Sequence, residues 1–271
     1  MQLRPSARAG TAAPRADCGG AATGVLLAAT NLTVNFRSFQ ALRGVSMELA
    51  SFGVHAVIGP NGAGKTTLFN ALSGFVKPAG GSVHLYGIDV TGAPADRLAR
   101  LGLARSFQIC SIFPNLSVGD NLRMALVRDT RALGFLRGHS AGDALDLRAE
   151  ALLEGAGLAA DRQRRAADLS YGRRRLLEIV TTMALRPKLL LLDEPMAGLA
   201  REDIPPVVEL IADAGTKCAV LLVEHNLEVV ESLAARVTVM AEGVVLCDGT
   251  YREVARDPRV VKAYTGVEIN A

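Results

Sequence analysis

The sequence has 271 residues, 49% of them hydrophobic and 21% charged, with a formal net charge of +3. That supplies a core for one large domain or two small ones, and the charge is too mild to argue for nucleic-acid binding. The longest apolar runs, in KLLLLDE and CAVLLVE, fall far short of the roughly 20 residues that span a bilayer, so no membrane-crossing helix is expected.

Residues 1–24, MQLRPSARAGTAAPRADCGGAATG, hold Ala, Gly, Arg and Pro with almost nothing to bury, and read as a disordered tail. They lack the apolar core of a signal peptide. A start of translation near Val25 is the sharper alternative, and an intact mass lacking Met1 from the native gene would support it. Cys18, Cys110, Cys218 and Cys247 are scattered, with no CxxC pair. This spacing argues against a disulfide framework or a zinc site and fits a reducing cytoplasm.

From Leu26 the pattern becomes regular. NLTVNF and VSMEL alternate like half-buried strands, and VHAVI reads as a buried strand entering a glycine-rich loop. TTLFNALSG follows at helical spacing with Gly74 as its stop, and GSVHLYGIDV is strand-like again. Residues from about 94 to 168 are expected to be mainly helical: PADRLARLGLAR is amphipathic, and Ser117 and Asp120 stand in capping-box spacing. RDTRALGFLRGHSAGD reads as a mobile connection. After Ser170 a helix, YGRRRLLEIVTTMAL, leads through Arg186-Pro187 into the strand of KLLLLDEP. A helix over PPVVELIADAG precedes a second buried strand, CAVLLVEH. RVTVM and VVLCDG suggest a hairpin, followed by two short helices. Strand–helix alternation on both sides of a helical insertion predicts an α/β core with a mostly parallel sheet and a smaller helical subdomain.

The loop from Gly59 to Thr66 fits the phosphate-binding pattern GxxxxGK[ST], with a strand before it and a helix after it. Its residues are Gly59, Pro60, Asn61, Gly62, Ala63, Gly64, Lys65, Thr66 and, one further on, Thr67. Glycines let successive backbone N–H groups turn inward and approach phosphate oxygens without Cβ clashes. The helix beginning near Lys65 points its positive end at the same anion. Lys65 is expected to reach the β- and γ-phosphates and Thr66 to hold Mg²⁺. The loop alone does not separate kinases, GTPases and ATPases. Asp193, ending an apolar strand, is placed to hold the Mg²⁺ shell, and Glu194 to polarise the water that attacks the γ-phosphate. No NKxD occurs, which disfavours a guanine-specific GTPase. His225 also ends a buried strand, where ligands of parallel sheets gather, and is placed to contact the γ-phosphate and the attacking water.

GPNGAGKTT, ARSFQ, LSYGRRRLLEI, LLLLDEP and VEHN, in this order, resemble the ATP-binding subunit of an ABC transporter from about Leu26 to the C-terminus. GLARSFQ, the Tyr of LSYG, DEPMAGL and the ending DPRVVKAYTG are most similar to the ATPases of branched-chain amino-acid importers. The resemblance implies a P-loop NTPase core with an N-terminal antiparallel β part. It implies an ATPase domain over 25–271, with a helical signature subdomain at about 94–180. Phe36 would stack on adenine, with Phe39 its rival, and Gln108 would be the lid-loop glutamine touching Mg²⁺ and the water. Ser170, Tyr171 and Gly172 would form the signature, facing the ATP held by a second ATPase subunit, whether an identical copy or a paralogue. Permease subunits in the membrane would dock at about 109–120, with Ile112, Phe113 and Pro114 in contact. A periplasmic or extracellular solute-binding protein would complete the complex, and this chain itself would lie peripherally at the cytoplasmic face of the cell membrane.

Two departures stand out from that pattern. Arg173 replaces the usual Gln of the signature, and Ala200 the usual Asp or Asn after AGL. Both belong to elements that act on the opposite nucleotide. The expectation is therefore that this chain's own loop hydrolyses ATP while the opposite site is less efficient. The basic run of Arg162, Arg164, Arg165, Arg173, Arg174 and Arg175 reads as a solvated face rather than a nucleic-acid patch. Urea import, lipopolysaccharide export and a soluble ABC ATPase remain the alternatives at this stage.

Overall fold

The computed structural model describes residues 24–106, 112–129 and 139–265. Residues 1–23 of the expected tail at 1–24 and Gln108 of the expected lid loop lie outside them, as do Cys18 and Cys110.

Two long strands open the chain, β1 (Val25–Phe36) and β2 (Phe39–Ala50), an antiparallel pair whose turn brings Phe36 opposite Phe39. In β2, Val45, Met47 and Leu49 are buried at every second position, as a half-buried strand requires. The buried strand β3 (Gly53–Ile58) runs into the glycine-rich loop and the helix α1 (Lys65–Leu72). Next come β4 (Gly80–Leu85) and β5 (Ile88–Asp89), which extend the first sheet in the order β2-β1-β4-β5.

A short helix α2 (Ala95–Arg100) is followed by β6 (Leu103–Ser106), which pairs in parallel with β7 (Leu189–Asp193). Residues 94–168 are therefore not helical from their start. Gly102, at φ 98°, ends the helical spacing of ADRLAR and turns the chain into the sheet edge. Four residues containing a central arginine do not advertise themselves as a strand. The helices between these strands are α3 (Val118–Asp129), α4 (His139–Gly155) and α5 (Tyr171–Ala184). Ser117 and Asp120 do form the expected start of α3, with the Asp120 N–H donating to Ser117 Oγ at 3.0 Å.

The chain then runs through β7, α6 (Ile204–Lys217), β8 (Ala219–Val223), α7 (Leu227–Leu233) and the hairpin of β9 (Arg236–Ala241) with β10 (Val244–Gly249). Two short helices, α8 (Tyr251–Val254) and α9 (Pro258–Thr265), close the described chain. The second sheet has the order β10-β9-β3-β8-β7-β6, parallel throughout except for β10 against β9.

The run of four leucines in β7 serves two faces. Leu189 and Leu191 pack with Phe69 and Leu72 of α1 and with Leu27 and Leu42 of the first sheet. Leu190 and Leu192 pack with Leu177 of α5 and with Val207 and Ile211 of α6. Each fully buried leucine contributes about 2 kcal/mol. Helix α1 is thus clamped between the two sheets, and the loop before it is fixed at the carboxyl end of β3. The neighbouring strand is β8 and the next is β7, so three strand ends open side by side.

Candidate functional site

The loop that joins β3 to α1 is built around positions where only glycine fits. Gly59 has φ 151°, and a Cβ there would lie 2.0 Å from the carbonyl oxygen of Met240 in β9. Gly64 has φ 98°, and its Cβ would meet the Ala41 carbonyl oxygen at 2.8 Å. Lys65 follows, buried, with Nζ donating to the carbonyls of Gly59 at 2.7 Å and Pro60 at 3.0 Å. Burial lowers the Lys65 pKa, opposed by the carboxylates of Glu194 and Asp193. Thr66 is exposed on the first turn of α1, and Thr67 is half-buried.

Asp193, at the end of β7, is buried, and burial pushes its pKa up against the pull of Arg105. Its Oδ2 accepts from Arg105 Nη2 at 3.1 Å, whereas its Oδ1 is buried without a protein partner. A buried carboxylate oxygen without a donor is costly. A hard divalent cation would satisfy it, and the hydroxyl of Thr66 is a donor of the same oxygen class. The residues fit such an ion.

Glu194 is a non-glycine residue at φ 48°. Its N–H donates to the Val223 carbonyl at 2.9 Å, and the Ala197 N–H donates to its own carbonyl at 3.1 Å. That strained turn directs the side chain to His225, whose Nε2 lies 2.8 Å from Glu194 Oε1. Lys65, Asp193, Glu194 and His225 are therefore linked by electrostatic coupling or hydrogen bonding at one end of the sheet.

Three residues of this site were missed on the sequence. Glu224 is buried, with Oε1 accepting from the Met196 N–H at 2.9 Å and Oε2 from the N–H groups of His225 at 2.9 Å and Asn226 at 3.2 Å. A carboxylate closing the apolar run of CAVLLVE was the signal. Arg105 stands in a stretch whose spacing predicts a helix. Arg175 was counted in a solvated run, yet it is buried against Glu178 at 2.6 Å and donates to the Pro195 carbonyl at 3.2 Å.

Ser170 caps α5, its Oγ accepting from the Arg173 N–H at 3.3 Å. Gly172 lies against Asp203, whose carboxylate carbon would sit 2.1 Å from any Cβ. The Tyr171 hydroxyl donates to the Ala197 carbonyl at 3.2 Å. Ser170–Gly172 thus have partners at 173, 174, 197 and 203. Arg173 is turned away from the helix start, with Nε 2.5 Å from Asp161 Oδ2 and Nη2 2.8 Å from the Gly157 carbonyl. Phe36 and Phe39 are exposed at the tip of the first hairpin. Ala41, two residues beyond Phe39, abuts Gly64. Three further arginines of the basic run have partners too: Arg162 pairs with Glu150, Arg164 with Asp161, and Arg165 with Asn115.

Against known proteins, the family described as "ABC transporter" matches residues 42–197. That described as "Branched-chain amino acid ATP-binding cassette transporter" matches residues 244–269. The chain is 38% identical over 251 residues to the high-affinity branched-chain amino acid transport ATP-binding protein LivG of Salmonella typhimurium, covering 89% of this chain and 98% of LivG. It is 37% identical over 251 residues to the corresponding BraF of Pseudomonas aeruginosa, with the same coverage of 89% and 98%. Among solved structures, the ADP conformation of MJ1267, an ATP-binding cassette of an ABC transporter, aligns with a TM-score of 0.78. The identity there is 29%, over 90% of this chain and all of MJ1267.

Proposed function

The chain belongs to the family of ABC transporter ATP-binding proteins, and from that premise we propose that it powers import of branched-chain or related amino acids by hydrolysing ATP. The observation that carries the transport reading is the likeness to LivG and BraF along 89% of the chain, together with the match at 244–269.

The geometry supports a division of labour. The loop Gly59–Thr67 cradles the phosphates with its N–H groups. The Lys65 ammonium, held on Gly59 and Pro60, transfers to the β- and γ-phosphates when they arrive. Thr66 and Asp193 Oδ1, with Gln108 beyond the described residues, would hold Mg²⁺, which when bound neutralises charge on the phosphate oxygens. Glu194 accepts a hydrogen bond from the attacking water and takes its proton, and His225 fixes the carboxylate at hydrogen-bond distance. Phe36 or Phe39 offers a ring for adenine at the edge of the same loop.

The place of Ser170–Gly172 at the start of α5, a helix N-terminus suited to a phosphate, supports a site closed by a second ATPase subunit, identical or paralogous. The permeases would dock in a groove of about 620 Å³ lined by Phe75, Arg105, Phe113, Asn121, Met124 and Thr182. Phe75, Phe113 and Met124 expose more than half of their surface there. On this reading the chain sits peripherally at the cytoplasmic face, with a solute-binding protein on the other side.

Co-expression with its permeases and reconstitution in proteoliposomes tests this. ATP-dependent uptake of labelled leucine, isoleucine or valine is the expected result. Hydrolysis without uptake of any of them would overturn the solute assignment and leave the ATPase assignment standing.

A further inference from the structure

One guanidinium connects the apolar groove to the carboxylate of the nucleotide site. Arg105 stands on β6, with its side chain 9% exposed. Its Nη1 donates to Asn70 Oδ1 at 2.7 Å and Ser73 Oγ at 2.8 Å, at the far end of the helix that Lys65 begins. Its Nη2 donates to Asp193 Oδ2 at 3.1 Å. The same group lies 5.8 Å from the ring centre of buried Phe69 and 5.5 Å from that of Phe75. Phe75 is 54% exposed and lines the groove together with Arg105.

The arrangement does more than neutralise a charge. A planar fork engages two directions at once, which a point charge on a flexible stem does not. One arm is anchored on α1, and the other holds one oxygen of Asp193. The oxygen left over is Oδ1, buried and without a protein partner. The ring of Phe75 rests against this fork from the groove side. Anything seated in the groove that shifts the ring therefore shifts the support of the carboxylate.

We propose that Arg105 is a positioning residue: it selects the Asp193 oxygen presented to the cation–nucleotide complex and makes that presentation sensitive to groove occupancy through Phe75. The inference rests on the nucleotide and metal reading given above.

The test is binding of a fluorescent ATP analogue to the full chain, titrated with Mg²⁺ and repeated in EDTA. Arg105→Met is expected to keep the EDTA affinity within about twofold and to raise the half-saturating Mg²⁺ about tenfold, the usual effect of losing a partner of a metal ligand. Arg105→Lys, which keeps the charge but not the fork, is expected to recover less than half of that loss. Phe75→Ala, which touches neither nucleotide nor Asp193, is expected to raise the requirement about threefold. An unchanged or lowered Mg²⁺ requirement in Arg105→Met, full recovery by Arg105→Lys, or no effect of Phe75→Ala would overturn the proposal. If Arg105→Met fails to bind in EDTA, the double variant Asn70→Ala/Ser73→Ala frees the fork and keeps the ion pair. An increase of about threefold is then expected, and none would overturn the proposal. Failure of the underlying reading looks different: the unaltered chain would bind no analogue, or bind it without regard to Mg²⁺.

Discussion

His225 Nε2 lies 2.8 Å from Glu194 Oε1, although the two residues leave the sheet on different strands, β8 and β7. The contact depends on Glu194 holding φ 48° and on its N–H reaching across to the Val223 carbonyl. With the carboxylate replaced by a carboxamide, hydrogen bonding survives but the proton acceptor is gone. Glu194→Gln is therefore expected to lower kcat about 10²–10³-fold, with ATP affinity within about twofold of the parent. Steady-state turnover and equilibrium binding of the assembled transporter check both halves. Turnover equal to that of the parent would remove Glu194 from its assigned role.

Glu224 leads to a second prediction. Its carboxylate receives three backbone N–H groups, one from the segment after Glu194 and two from the His225 turn. Glu224→Leu leaves those donors without an acceptor and is expected to cost about 3 kcal/mol of unfolding free energy. Glu224→Gln keeps one acceptor oxygen but turns an NH₂ toward a donor, for about half that cost. Because the clamp sets the separation of Glu194 and His225, kcat should fall more than ATP affinity. Urea unfolding and a KM-against-kcat comparison read the two effects.

Arg173 carries the third prediction. The sequence comparison with the signature pattern suggested that an arginine at this position impairs the opposite site. In the fold its guanidinium is spent inside the chain, tying the start of α5 to Asp161 and to Gly157 in the turn after α4. The side chain is 36% exposed, so solvent screens the ion pair. Arg173→Gln is expected to destabilise the chain by about 1 kcal/mol while changing ATPase turnover less than threefold. A large gain in turnover would return Arg173 to the opposite nucleotide.

How much of this was legible follows from where the information sits. The phosphate loop, the apolar strands of KLLLLDEP and CAVLLVEH, and the terminal hairpin were readable because each is a local pattern with a local cause. Buried parallel strands are continuous apolar runs, and a glycine loop is forced by backbone approach. Placing Asp193, Glu194 and His225 together required only the rule that ligands gather at the carboxyl ends of such strands. Strand β6 was not readable, because it has only four residues with an arginine among them, and its pairing partner lies 86 positions on, Leu103 with Leu189. The same distance hid Arg105: nothing near ARSFQ announces an aspartate on another strand. Arg175 was misplaced for a related reason, since a run of three arginines looks solvated until a buried Glu178 appears one turn later.

The last prediction concerns acid stability and rests on His55, buried on the central strand β3. The Thr238 hydroxyl donates its proton to Asp248 Oδ2 at 3.1 Å, so at 2.7 Å it accepts from His55 Nε2–H. Burial pushes the His55 pKa from 6.5 down to about 4, with Arg236 acting in the same direction and the Asp248 carboxylate opposing both. The unfolded chain takes up the proton from about pH 6.5 downward, whereas the folded chain resists it until about pH 4. Stability is therefore lost as pH falls through that window, by about 2 kcal/mol at pH 5 and about 3 kcal/mol below pH 4. His55→Gln cannot take up the proton, so its stability should decline less between pH 7.5 and pH 5 than that of the parent, by about 2 kcal/mol in urea unfolding. Carboxylates elsewhere titrate equally in both proteins and cancel in the comparison. Equal acid sensitivity of the two would mean that His55 is not the group that charges on unfolding.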